Sequence, residues 1–304
     1  MPEKAILIVC DGMSDRPFPK KTPLQSAKKK NIDLIAREGI CGISDPISPG
    51  VPPGSDTAHL ALLGFDPYKY YAGRGVLEAL GSGLKLYPGD VAFRCNFATV
   101  DRKFRIIDRR AGRIEDKDAA SLAYAIKHLK IAGFDFYFHH TVGHRGVLII
   151  KKASSKVSDV DPHKIGEIEW AKPLVPSKEA KETADAINSW IKEVNKILSK
   201  HDVNVRRARE GKPVANVVIM RGASSLVEGT PHKGNAVYDG PHLKNSVTVP
   251  KFEEVYGLSA VCIAGGPLYK GVSRYLGMDV IDVRGATADL NTDLDAKFKA
   301  AVKA

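Results

Sequence analysis

Apolar and polar positions change their period twice along the chain. Ala5–Cys10 is an uninterrupted apolar run, the pattern of a strand buried on both faces of a parallel sheet. A helix is expected over Ile32–Glu38, with Asn31 as its N-cap and Gly39 just past its end. A short strand is expected over Ile40–Ile47, followed by a loop, PISPGVPPGSD, too rich in Pro and Gly for any regular element. Ser55 closes that loop and opens a helix over Asp56–Leu63, stopped by Gly64.

From Asp90 the period becomes two. Val91, Phe93, Cys95 and Phe97 alternate with Ala92, Arg94, Asn96 and Ala98, which predicts a half-buried strand with Phe104–Asp108 as its hairpin partner. A helix near Asp118–Lys130 precedes a second strand pair, Phe134–His139 and Gly146–Lys151, joined by the turn HTVGH. Ala184, Ile187, Ile191, Val194 and Leu198 recur at three- and four-residue steps, so Lys178–Lys200 reads as a long amphipathic helix capped by Ser177.

After Gly211 short apolar runs return. Ala215–Met220, Ala260–Ala264 and Val280–Val283 read as buried strands, Tyr269–Leu276 as a helix, and Ser224–Val249 as a long polar surface loop. The order of elements implies an α/β layer built from residues 1–89 and 212–304, interrupted by an inserted α+β domain over residues 90–211.

Composition narrows the class. The chain has 304 residues, 43% hydrophobic and 27% charged, which excludes a disordered or fibrous protein. The four cysteines are widely spaced, so the pattern is neither a disulfide framework nor a metal knuckle and suits reduced thiols in a cytoplasmic protein. No apolar run reaches membrane-spanning length. The net charge of +11 asks for an anionic partner. Its lysine runs lack interleaved aromatics, which favours a phosphorylated metabolite over nucleic acid.

Candidate chemistry gathers at element ends. Asp11 ends the first apolar run, where ligands of open α/β sheets lie, although a lone Asp there equally caps a turn. Ser55 stands at a helix N-terminus, a place that favours an anion and would favour a phosphorylated serine, or serves simply as an N-cap. As a nucleophile its hydroxyl needs a cation to lower its pKa. His59 lies one turn later on the same helix face. Arg109, Arg110, Arg221 and Lys270 are cations suited to carboxylate or phosphate, as are Arg94, Arg145 and Arg274.

The stretches DGMSDRP, DPISPGVPPGSDTAHLALLGFDPYKYYAGRG, GDVAFRCNFATVD, IDRRAGRI, GHRGVLII, DVDPH and LYKGVSRYLGMDV run through nearly the whole chain. In that order they resemble the archaeal type of cofactor-independent phosphoglycerate mutase, a branch of the alkaline phosphatase superfamily. The resemblance implies a phosphatase-like α/β fold with a mainly parallel sheet flanked by helices and an inserted α+β cap domain. It implies an isomerase of 3- and 2-phosphoglycerate working through a phosphoserine without 2,3-bisphosphoglycerate. Asp11 and Ser55 would be metal ligands, Ser55 also the nucleophile, and His59, Arg109, Arg110, Arg221 and Lys270 would meet the substrate. Two divalent ions, Mn²⁺ or Mg²⁺, are expected, and a homo-oligomer is compatible with the pattern.

Members of that family are longer, with further Asp and His metal ligands after the region equivalent to Asp279–Ala304. The expectation is therefore a phosphatase-like domain incomplete at its C-terminus and little mutase activity from these 304 residues alone. A metal-dependent phosphohydrolase and a non-catalytic phosphoacid-binding protein stay open beside the mutase.

Overall fold

A computed structural model describes residues 4–17, 20–226, 237–239, 247–288 and 290–304. The first ninety residues contribute helices α1 (Pro23–Ser26), α2 (Lys30–Glu38), α3 (Ser55–Leu62), α4 (Pro67–Tyr70) and α5 (Arg74–Gly81). The middle carries β1 (Val91–Val100), β2 (Arg105–Asp108), α6 (Asp116–Ala125), β3 (His128–Ile131), β4 (Phe134–His140), β5 (Arg145–Ile150) and β6 (Gly166–Glu167). Helices α7 (Lys178–Lys200) and α8 (Asp202–Arg209) lead to β7 (Val217–Leu226), β8 (Val237–Asp239) and β9 (Val247–Thr248). Then follow α9 (Phe252–Tyr256), β10 (Val261–Cys262), α10 (Pro267–Tyr275), β11 (Asp279–Val280) and α11 (Leu294–Lys303).

The expectation of a mainly parallel sheet is corrected. The main sheet runs β3-β4-β5-β1-β7-β8-β9, with β2 paired to β1 and β6 to β2 off this path, and every pairing in it is antiparallel. Hairpins such as β4–β5 impose that sense, because short turns cannot join parallel neighbours. The sheet also crosses Gly211: β7 lies beside β1 along most of its length. Among the described residues, the parallel pairing is β10 with β11, joined by α10 as a crossover helix.

Ala5–Cys10 does not pair as a strand, and Ile6, Leu7 and Ile8 are 82%, 63% and 77% exposed. Residues 40–47 are likewise irregular. Their apolar character was legible; a strand also needs a neighbour, and no described residue supplies one. Lys29, not Asn31, caps α2, and β7 takes in Ser224 and Ser225, which the sequence assigns to a loop. Strands β8 and β9 also fall within that expected loop, and its residues 227–236 and 240–246 lie outside the described residues.

Two cores flank the sheet. On one face Phe93, Phe97, Phe136 and Leu148 pack against α6 and α7, with Trp190 stacked on Phe136 at 5.7 Å between ring centres. Ser177 Oγ accepts the Ala180 amide at 3.1 Å, the N-cap that the sequence indicated for α7. On the opposite face Ala92, Val147 and Ile149 pack with Leu60, Val76, Leu77, Leu268 and Val272 from α3, α5 and α10. Strand β1 is therefore buried along its whole length rather than half-buried. Its second face meets a layer of helices, so Arg94 and Asn96, which read as solvent-facing, are 8% and 5% exposed.

Candidate active site

Helix α3 begins at Ser55, and Gly54 is its N-cap. Ser55 is thus the first helical residue, and its hydroxyl points away from the helix instead of capping it. Ser55 Oγ donates to Asp11 Oδ2 at 3.2 Å. The loop that delays the helix start is what brings Ser55 to the carboxylate forty-four residues earlier. Tyr269 of α10 donates its hydroxyl to the same Asp11 oxygen at 2.5 Å. Burial, and then this hydrogen bond to Asp11, pushes the Tyr269 phenol above its usual pKa. His59 Nδ1 lies 2.6 Å from the Ser55 carbonyl oxygen, which can only accept, so Nδ1 carries a proton and donates it. The His59 ring sits 4.7 Å from that of Tyr269.

Asp56, buried beside Ser55, accepts the Tyr71 hydroxyl at 2.5 Å and faces the Arg74 guanidinium at 3.7 Å. Burial, reinforced by Asp56, raises the Tyr71 pKa. Arg74 reaches Glu78 one turn along α5 at 3.3 Å, and Glu78 stands 3.6 Å from Arg94 Nε on β1. A line of charges therefore runs from the start of α3 across α5 to the sheet.

The other predicted cations divide. Arg221 lies opposite Arg94 across the β1–β7 pairing and places a guanidinium nitrogen 3.0 Å from His163 Nδ1. A bulge there, with Gly222 at φ +68°, turns its amide to Asp159 Oδ1 at 2.8 Å. Arg109 is held by Asp161 through two hydrogen bonds of 2.9 and 2.7 Å. Burial works to raise the Asp161 pKa, but the bonds from Arg109 and the His163 amide prevail and leave it low. Arg110 is exposed, and its amide binds Asp108 Oδ1 at 2.7 Å.

Lys270 forms an ion pair with Asp282 at 2.6 Å, and its hydrogen bond holds the Asp282 carboxyl below the usual range. That pair lines a cleft of about 380 Å³ with His139, His140 and Arg274, and neither Asp11 nor Ser55 lines it.

The structure thus joins Asp11, Ser55 and His59 in one cluster, sets Arg221 near Arg94 on the sheet, and engages Arg109 and Lys270 in ion pairs. Sequence reasoning missed Tyr269 and the Asp56–Tyr71–Arg74–Glu78 line. The signal for Arg94 was present in the alternation of β1, but it read as a wet face.

For a divalent cation, Asp11 and Ser55 offer oxygen donors of the right chemistry. Among the described residues, no group of three or more His, Cys, Asp or Glu side chains is placed to hold a metal. The donors fit one ion as part of its shell.

Comparison with known proteins gives these groups a context. The family model for 2,3-bisphosphoglycerate-independent phosphoglycerate mutase matches residues 36–204. A mutase of that description from Methanocaldococcus jannaschii is 43% identical over 305 residues, covering 99% of this chain and 69% of the relative. One from Methanopyrus kandleri is 43% identical over 311 residues, with the same coverage of 99% and 69%. The solved cofactor-independent phosphoglycerate mutase of Thermoplasma acidophilum superposes with a TM-score of 0.55 at 36% identity, covering 96% of this chain and 72% of that one. A Pyrococcus horikoshii protein superposes with a TM-score of 0.66 at 32% identity, covering 96% and 65%. With identity of this level along nearly its whole length, the chain belongs to the 2,3-bisphosphoglycerate-independent phosphoglycerate mutase family.

Proposed function

We propose that this chain interconverts 3-phosphoglycerate and 2-phosphoglycerate through a phosphoserine at Ser55. The observation that carries the reading is Ser55 itself: the first residue of a helix, its hydroxyl free of capping and bonded to Asp11. Ser55 Oγ attacks the phosphorus of 3-phosphoglycerate, the bond to the C3 oxygen breaks, and the Ser55 proton passes through Asp11 Oδ2 to the departing C3 oxygen. The glycerate then presents its C2 hydroxyl to the phosphoserine and takes the phosphoryl group back, while the C2 hydroxyl proton returns through Asp11 to Ser55 Oγ. The amide dipoles at the start of α3 favour the phosphate on Ser55, and His59, its Nδ1 engaged, meets a substrate hydroxyl through Nε2.

Asp11 and Ser55 would hold a divalent ion, Mn²⁺ or Mg²⁺, whose charge lowers the pKa of the serine hydroxyl and offsets the charge of the phosphoryl oxygens. Water must stay out or the phosphoserine hydrolyses. Residues 90–211, whose sheet β7 to β9 complete, are proposed as the cap that excludes it over a phosphatase-like layer from residues 1–89 and the rest of 212–304. The parallel β10–α10–β11 unit, which delivers Tyr269, supports that assignment of the second segment. A phosphorylated metabolite as partner and a cytoplasmic setting suit the chemistry. None of the described helices is long and apolar enough to cross a membrane.

The test is incubation of the purified chain with 3-phosphoglycerate and Mn²⁺, following 2-phosphoglycerate, free phosphate and phosphorylation of the Ser55 peptide. Slow formation of isomer without free phosphate, lost in Ser55→Ala, is expected, because only Asp11 and Ser55 are placed to hold the ion. Free phosphate as the main product would establish a phosphohydrolase instead, and binding without turnover a phosphoacid-binding protein.

A further inference from the structure

We propose that Asp56 holds the phosphoserine at Ser55 in check: its negative charge beside the nucleophile keeps the phosphoryl group loosely enough bound to be returned to glycerate. The inference deepens the mutase reading and rests on it for the phosphoserine itself.

Two features of the site stabilise a phosphate on Ser55. One is the set of amide dipoles at the start of α3, and the other is the charge of an ion held by Asp11. Phosphoserine and the two phosphoglycerates are all alkyl phosphate monoesters, so the covalent step is nearly balanced before the protein acts on it. A site that only attracts phosphate would make the phosphoserine the most stable species, and turnover would stop there. Catalysis requires that the transition state gain more than the intermediate does.

Asp56 supplies an opposing charge at the right place. It follows Ser55 in the chain and is 6% exposed. Gly54, the N-cap of α3, has no side chain to accept an amide, and Asp56 Oδ1 takes the Thr57 amide at 3.1 Å instead. The carboxylate folds back over the mouth of the helix, where a Cβ on Gly54 would lie 2.7 Å from Asp56 Oδ1. One amide donor at that mouth is therefore already taken, and a negative charge sits where the helix dipole is positive.

The charge is fixed there. Asp56 Oδ2 accepts the Tyr71 hydroxyl at 2.5 Å and Oδ1 accepts the Thr57 amide, so both oxygens act as acceptors. Burial, and then Asp56, push the Tyr71 phenol up, so it keeps its proton and goes on donating. Arg74 offsets the charge only in part. At 3.7 Å it is beyond a hydrogen bond to Asp56, while its two bonds of 3.3 Å go to Glu78. A helix cap alone needs neither burial nor a tyrosine hydroxyl, since exposed Ser, Thr and Asp serve as well.

In the return step the Ser55 Oγ–P bond breaks and the bond from phosphorus to the C2 oxygen forms. The C2 hydroxyl proton passes through Asp11 to Ser55 Oγ. Asp56 touches none of these atoms. It acts through Ser55, by repulsion between its carboxylate and the phosphoryl oxygens that ends when the phosphoryl group leaves.

The experiment compares the chain with Asp56→Asn, which keeps the size of the side chain and an acceptor for Tyr71 but removes the charge. Each protein turns over 3-phosphoglycerate with Mn²⁺ and is quenched in acid, which phosphoserine survives. Intact-protein mass spectrometry then reads the ratio of phosphorylated to free Ser55. Asp56→Asn is expected to raise that ratio about tenfold or more while isomer forms more slowly. Asp56→Ser, smaller and likewise uncharged, should raise it too, and it keeps the test decisive if circular dichroism shows the Asn variant unfolded. A merely structural Asp56 would instead lower phosphorylation and turnover together. An unchanged or lower ratio in a folded variant would overturn the proposal and leave the mutase standing. A raised ratio with free phosphate as the main product would uphold the role of Asp56 and remove the mutase. Isomer formed with no phosphoserine in any variant would overturn the proposal together with the phosphoserine.

Discussion

Asp11 Oδ2 receives two hydroxyls, from Ser55 at 3.2 Å and from Tyr269 at 2.5 Å. The shorter bond pins the carboxylate, and the pinned carboxylate in turn orients the nucleophile, so Tyr269 acts as a positioning residue. Tyr269→Phe removes one hydroxyl and keeps the ring against His59. Its expected effect is a fall of about tenfold in kcat, or about 1.4 kcal/mol, with KM for 3-phosphoglycerate unchanged. Steady-state kinetics decide it, since a rise in KM alone would mean that the phenol touches substrate instead. At this scale Ser55 was legible because a serine after a Pro- and Gly-rich loop can hardly avoid a helix start. Tyr269 was not, since nothing local tells an aromatic in a short helix which carboxylate 258 residues away it meets. Arg109 and Lys270 show the converse: the cations were legible in the sequence, and their partners, Asp161 and Asp282, were not.

Helices α5 and α10 pack so closely that their backbones touch. A Cβ on Gly271 would lie 1.8 Å from the Leu77 carbonyl oxygen, and one on Gly81 1.6 Å from that of Pro267. The contact fixes the start of α10, and with it Tyr269, over the start of α3. Gly271→Ala is therefore expected to destabilise the chain by about 1–3 kcal/mol, because backbone cannot swing aside as a side chain can. Urea unfolding measures it, and an unchanged midpoint would show that the helices are free to separate. Elements whose signal is local were readable from residues: α7 with its Ser177 cap, β4 and β5 around their turn, β2 beside β1. The start of β3 was read as the end of a helix, because Ile126 and Leu129 continue the four- and three-residue spacing from Leu122 in α6. The sense of the sheet was misread for a different reason. ANVVIM describes a strand buried on both faces, and a sheet covered by helices on both faces buries its strands whether they run parallel or antiparallel.

Across the whole molecule, a net charge of +11 draws in an anionic substrate and opposes the approach of a cation. Against that field, the proposed metal position offers Asp11 and Ser55, one carboxylate and one hydroxyl. Among the described residues, no further His, Cys, Asp or Glu joins them as a group of three. Divalent ions require about six oxygen ligands, so protein donors would fill only a minority of the shell and water the rest. Few ligands and one formal negative charge predict weak binding, with a Kd for Mn²⁺ on the order of 10⁻⁴–10⁻³ M. Asp11→Asn removes the charge while keeping the size of the side chain, and should weaken Mn²⁺ about tenfold or more. The amount of free Mn²⁺ in an electron paramagnetic resonance titration reads this without any turnover. Micromolar Mn²⁺ binding that ignores Asp11→Asn would place the ion elsewhere, and Ser55 would then need another source of activation.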